Sequence, residues 1–295
     1  WAALFASLLV LVPLVGGTVL LSRQQLRTQL RQAARSESGV PIQLPKTTDQ
    51  LTVLLCVSGE EPGFVLAYLN ASQNCVHLLS VPAALAVPFA EEEASLARCY
   101  AAAGPARCRE ALMQVLALPE GIRYLALSPA VLERIASRFG PVRVGFTGAL
   151  TEDELARYGR SRAVQGISAG DAHNFLCRLQ ADATLSPQRT AATRAAVWDA
   201  FFRQNLELLP TALPNALRAN SSALLTDLTA LDYDALERTL EFLANRAASV
   251  EAQTLPGAWD AASGTYTVTD ASRAAVQTFF NVSPTEAQAS SFKEP

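Results

Sequence analysis

Histidine is nearly missing from this chain, whose 295 residues hold two, His77 and His173. The five cysteines, at positions 56, 75, 99, 108 and 177, follow no metal-ligand spacing, so a zinc centre is not expected. No glycine-rich phosphate loop, Gly-x-Ser-x-Gly elbow or dinucleotide fingerprint occurs, which removes the common signatures of nucleotide binding and serine hydrolysis. Neither sign of charge dominates, with 24 Lys+Arg against 27 Asp+Glu. No global field therefore draws the chain to nucleic acid, and no helix-turn-helix signal occurs. Charged residues make up 17% of the chain and hydrophobic residues 50%, which excludes disorder and fits one folded domain of ordinary size.

Charge is also absent from Trp1 to Leu21. A helix over that stretch would reach about 30 Å, the thickness of a bilayer core, whereas a signal-peptide apolar region runs only ~7–15 residues. Residues 1–21 therefore read as a membrane-spanning helix. Because the chain starts on Trp, a preceding cytoplasmic piece is expected. Arg23, Arg27, Arg31 and Arg35 recur every fourth residue and line one side of a helix leaving the membrane. Residues 22–48 read as the juxtamembrane linker. On charge alone the stripe would place the C-terminal side of the span in the cytoplasm.

Beyond the linker come three short apolar runs, Leu51 to Val57, Phe64 to Leu69 and Cys75 to Val81, separated by clusters of Gly, Pro, Asn and Ser. That pattern predicts successive strands with tight connections. The first run is apolar almost throughout, as a strand covered on both faces is. Glu91 to Leu118 reads as a helix broken at Gly104-Pro105, with Leu96, Tyr100, Leu112, Val115 and Leu116 buried. A strand at Arg123 to Leu127, a helix at Ala130 to Phe139 and a strand at Val142 to Phe146 continue the alternation. Helices are predicted at Ile167 to Leu179 and Pro187 to Leu206, the second opened by Ser186-Pro187 and carrying Val197, Trp198, Phe201 and Phe202 on its apolar face. Leu224 to Thr229 and Tyr233 to Ala244 add a capped helix before a strand-like Thr265 to Thr269. Residues 283–295 form a polar tail. The expected fold is α/β over residues 49–282, with a central mixed sheet covered by helices on both faces.

Several strings, taken in order, resemble the LytR-CpsA-Psr family of membrane-anchored cell-envelope proteins. Leu79-Ser80-Val81-Pro82 is similar to the start of the family's S-I-P-R-D strand, and Leu96 to Gly104 to its Asn/Ala/Tyr-rich segment. Gly140-Pro141-Val142 resembles its Gly-Gly-Val, and Ile167 to Leu176 resembles its L-S-G-E-x-A-L helix. Thr226-Asp227-Leu228 and Leu255-Pro256-Gly257 resemble its C-terminal landmarks. The resemblance implies an extracytoplasmic domain that transfers a glycopolymer from a polyprenyl-pyrophosphate carrier to peptidoglycan, usually with Mg²⁺. The implied partners are the membrane, a polyprenyl-linked glycolipid or peptidoglycan, and no nucleic acid.

The departures fall on the catalytic positions. Phosphoryl transfer needs carboxylates for the metal and arginines for the pyrophosphate. Aligned by these motifs, the acidic positions fall on Ser58 and near Gly63, the Arg and Asp of the strand motif on Ala83 and Ala84, and the R-x-R pair on Cys177 and Leu179 around Arg178. No metal ligand remains evident, so the expectation is a binding protein with no catalytic residue and no cofactor. The candidate substrate-binding residues are Arg178, Arg189 and Arg194. The alternative, an active transferase, would use Mg²⁺ held by Glu60 or Glu61 together with these arginines.

Arg194 stands four residues before Trp198, on the apolar side of its helix, where it either snorkels to the rim or binds an anion. Arg160-Ser161-Arg162 imitates the lost pair from the wrong side of its helix and reads as surface. His77 and His173 read as structural. Cys99 and Cys108 flank Ala103-Gly104-Pro105 and are either a disulfide or two buried thiols.

Overall fold

The three apolar runs become β1 (Gln50–Val57), β2 (Gly63–Asn70) and β3 (Cys75–Val81), an antiparallel meander. The computed structural model describes residues 44–161 and 163–281, and those from Pro45 onward belong to one compact unit. The expected membrane helix at 1–21, nearly all of the linker and the polar tail lie outside the described residues. Among the described residues no helix is long and apolar enough to cross a membrane.

The remaining strands follow in chain order: β4 (Ala86–Phe89), β5 (Glu92–Ser95), β6 (Arg123–Leu127), β7 (Val142–Val144), β8 (Gln165–Ile167), β9 (Leu224–Thr226), β10 (Ser249–Thr254), β11 (Ala258–Asp260) and β12 (Thr265–Thr267). Six of them form the central sheet in the order β10-β3-β2-β1-β6-β9. It is mixed, since β1 runs parallel to β6 and β3 parallel to β10 while the other pairs are antiparallel. The other strands pair off as small ribbons, β4 with β5, β7 with β8 and β11 with β12.

Eight helices are described: α1 (Leu96–Leu116), α2 (Pro129–Ala136), α3 (Glu152–Arg157), α4 (Ala169–Gln180), α5 (Pro187–Asn205), α6 (Leu209–Ala219), α7 (Ala230–Asn245) and α8 (Asp270–Phe279). Because strand side chains alternate between faces, β1 sends Leu54 and Cys56 one way and Leu51 and Val53 the other. Leu54, Cys56, Phe64 and Leu66 pack beneath α1 and α8. On the opposite face Val53, Val65, Ala67 and Leu125 meet side chains of α2, α5, α6 and α7. The expected sheet with helices on both faces is what the chain forms.

Several local expectations need correction. The helix read from Glu91 starts at Leu96, because Glu92–Ser95 pairs with Ala86–Phe89 as a hairpin turned at Ala90, whose φ is 56°. Within α1 the break is at Gly104, φ 77°, a left-handed conformation glycine adopts at low cost, followed by Pro105. Ile167 belongs to β8, and α4 begins after the Ser168 cap, whose Oγ accepts from the Asp171 amide at 3.1 Å. Val142–Val144 pairs with β8 outside the central sheet. Of the two alternatives for Cys99 and Cys108, the structure has two free buried thiols, with Cys108 Sγ donating to the Leu96 carbonyl at 3.6 Å.

Candidate functional site

A cavity of about 160 Å³ lies between the sheet and the helices of its α5–α7 face. Its floor is the alternating residues of β1 and β2, from Leu51 and Leu69 at one end to Val57 and Gly63 at the other. Six residue steps at ~3.4 Å make that floor roughly 20 Å long. Its roof includes Leu176 of α4, Val197, Trp198 and Phe201 of α5, and Leu217 of α6. The branched and aromatic side chains leave most of the wall apolar.

Polar groups gather at the Gly63 end, where Glu61, His173, Cys177 and Arg194 reach the cavity. Arg194 is 4% exposed. Burial lowers its pKa to about 10, with Cys177 acting in the opposite direction, so the guanidinium stays charged at neutral pH. Its single hydrogen bond among the described residues runs from Nη2 to Gln180 Oε1 at 2.8 Å, and no carboxylate pairs with it. Gln180 is held in turn by donating from Nε2 to the Pro62 carbonyl at 3.1 Å. The guanidinium lies so close to β2 that a Cβ at Gly63 would stand 2.9 Å from Arg194 Nε. A side chain there would have to displace the guanidinium. A buried guanidinium carries five donors, and one neutral acceptor does not compensate its desolvation.

Beside it, Cys177 Sγ lies 3.4 Å from His173 Nε2, the two residues standing one helical turn apart on α4. The Cys177 thiol is pushed up by burial and by Glu61 while Arg194 lowers it, and the His173 imidazole is pushed down by burial and then by Arg194.

Of the three arginines proposed from sequence, the structure brings Arg194 to the cavity and places the other two elsewhere. Arg189 reaches away, its Nη1 donating to the Ala149 carbonyl at 3.0 Å and lying 3.5 Å from Glu154 Oε2. Exposed Arg178 stacks over the Tyr158 ring at 5.3 Å. Arg160 covers Phe175 at 5.1 Å, and Arg162 is outside the described residues. Glu61 lines the cavity and Glu60 is exposed. His77 stacks on Phe279 at 4.6 Å, away from the cavity.

The sequence reading missed His173, Cys177 and Gln180 as a group. The only available signal was their spacing along one helix, at positions 173, 177 and 180.

The residues present do not fit the magnesium that the sequence resemblance implies. Ser58 Oγ donates to the Leu127 carbonyl at 3.3 Å, Gly63 is filled over by Arg194, and Ala83 and Ala84 have no side-chain oxygen, their carbonyls accepting from the Ala97 and Tyr266 amides. Among the described residues no group of three or more His, Cys, Asp or Glu could hold a metal ion, and octahedral magnesium wants hard oxygens.

The sequence matches no protein-family model, and no curated protein matches it. Solved structures do resemble it. TagT bound to LIIa-WTA is 16% identical with a TM-score of 0.59, covering 82% of this chain and 95% of that one. The LytR-Csp2A-Psr enzyme from Actinomyces oris is 19% identical with a TM-score of 0.59, covering 81% and 94%. A protein of Eubacterium siraeum described as a transcription regulator is 16% identical with a TM-score of 0.65, covering 82% and 95%. The described domain therefore has a LytR-CpsA-Psr-like α/β fold.

Proposed function

We propose that this protein is a membrane-tethered member of cell-envelope assembly that binds a polyprenyl-(pyro)phosphate-linked glycopolymer and has little or no transferase activity. The observation that carries this reading is Arg194, a buried cation without a carboxylate partner at one end of an apolar cavity. A lipid phosphate supplies what the site lacks, an anion for the guanidinium and an apolar chain for the roughly 20 Å floor. The LytR-CpsA-Psr-like fold supports it, as does the neighbour TagT bound to LIIa-WTA. In this reading residues 1–21 are the anchor and the domain faces the extracytoplasmic side. Among the described residues the active-transferase alternative has Glu61 as its one carboxylate at the cavity, too few ligands for Mg²⁺. Nucleic acid is a poor fit, because a near-balanced charge offers no phosphate-tracking surface.

Titration of the purified domain with polyprenyl monophosphate, followed by the fluorescence of Trp198 in the cavity wall, tests the reading. Saturable quenching is expected. A domain that binds no polyprenyl phosphate overturns it. Protease treatment of intact cells tests the orientation, with removal of the domain expected and full protection contradicting the envelope assignment.

A further inference from the structure

The charged end of the cavity holds more than a phosphate anchor. Cys177 and His173 are a thiol and an imidazole 3.4 Å apart, and His173 makes no other hydrogen bond among the described residues. Both line the same apolar cavity as Arg194. Sγ also lies 4.0 Å from Nδ1 and 3.9 Å from the Glu61 carbonyl, so it stands beside the ring, and a turn of the imidazole brings Nε2 into line as base for the nucleophile. The other cysteines, Cys56, Cys75, Cys99 and Cys108, are buried in the opposite core. Burial and Arg194 keep His173 neutral, the state in which it can accept a proton, while burial holds Cys177 as the thiol against the opposing pull of Arg194, so the proton must leave as the sulfur attacks. Arg194 spends one N–H on Gln180, which leaves donors for a developing negative charge.

We propose that Cys177 is a nucleophile that accepts a long-chain acyl group from an ester, with His173 as its base and the acyl chain lying in the apolar cavity. His173 Nε2 takes the Sγ proton as the sulfur attacks the acyl carbonyl carbon. The new C–S bond forms, and the oxyanion meets a free N–H of Arg194. The carbonyl carbon's bond to the ester oxygen then breaks, and that oxygen leaves as an alcohol carrying the proton from His173. The product is a thioester on Cys177, and no oxidant or metal is needed. Membrane phospholipids and activated esters both supply the acyl chemistry. The proposal rests on the cavity taking a lipid chain and is independent of whether that chain is polyprenyl.

The experiment incubates the folded domain with p-nitrophenyl palmitate and, separately, with phosphatidylcholine vesicles, and reads the intact mass. A single palmitoyl adduct from the activated ester, mapped to Cys177 and removed by neutral hydroxylamine, is expected. Cys177→Ala should abolish it at unchanged melting temperature, and His173→Asn should slow it about a hundredfold. An adduct from the vesicles identifies phospholipid as the donor, and its absence assigns the donor to a more activated ester. No adduct from the activated ester, an adduct on another residue, or a rate indifferent to His173→Asn overturns the proposal. A parent that binds polyprenyl phosphate yet stays unacylated defeats this proposal alone. One that is acylated yet binds no polyprenyl phosphate defeats the polyprenyl reading alone.

Discussion

The two faces of the central sheet are built from the same strands and differ in what covers them. On the α1 and α8 face Leu54, Phe64 and Leu66 are fully enclosed, and Phe64 meets the edge of Tyr100 at 5.6 Å between ring centroids. On the α5 to α7 face the alternate residues of β1 and β2 are apolar too, yet their helices stand off far enough to leave a cavity with a charged arginine at its end. One face is a core and the other a container. Hydrophobicity along a strand does not distinguish them, because the difference lies in the helices opposite.

Removing bulk from the closed face should therefore cost most. Phe64→Ala leaves a void in a packed core and should lower stability by about 3–5 kcal/mol in urea unfolding. A loss under about 1 kcal/mol would mean that this face is loosely packed as well. Adding bulk to the hollow face should do the reverse. Overpacking a filled core costs roughly 1–3 kcal/mol, whereas Ala67→Leu, whose side chain enters the cavity, should change stability by less than about 1 kcal/mol while abolishing lipid-induced quenching of Trp198. A large destabilisation with binding retained would show the cavity to be closed at that position.

The smallest expected effect concerns pH. His173 is held below its ordinary value in the folded protein, so the unfolded chain binds its proton more readily. The contribution of His173 is intact above the ordinary value of about 6.5 and declines as pH falls through it towards the folded value. Melting curves for His173→Asn should consequently fall less steeply than the parent's below that pH. Equal slopes would remove the buried, neutral imidazole from the account.

Contiguous apolar runs made β1, β2 and β3 legible in the sequence, as did the proline-opened α5 and its aromatic stripe. β10 was not, because this edge strand, Ser-Val-Glu-Ala-Gln-Thr, has no apolar run, and its short alternation rests on Val250 and Ala252, of which only Val250 is buried. The hairpin of β4 and β5 was hidden by Glu91-Glu92-Glu93, an acidic run that imitates the first turn of a helix. Arg194 could be singled out from its place before Trp198, since a charge on an apolar face calls for an explanation. Its meeting with Gly63, Gln180, Cys177 and His173 could not, because it joins β2, α4 and α5 across more than a hundred residues. Arg178 and Arg189 carry the same charge and differ only in what the fold sets beside them, Tyr158 for one and Glu154 for the other.

The claim that Arg194 makes the container a phosphate-lipid site is tested most directly by comparing polyprenyl monophosphate with uncharged polyprenol on the parent and on Arg194→Met. A charge-assisted hydrogen bond is worth about 1.5–3 kcal/mol, so the parent should prefer the phosphate by about tenfold or more. Arg194→Met should lose that preference and, freed of an unpaired buried charge, melt at or above the parent temperature. A variant that still prefers the phosphate as strongly as the parent would contradict the account.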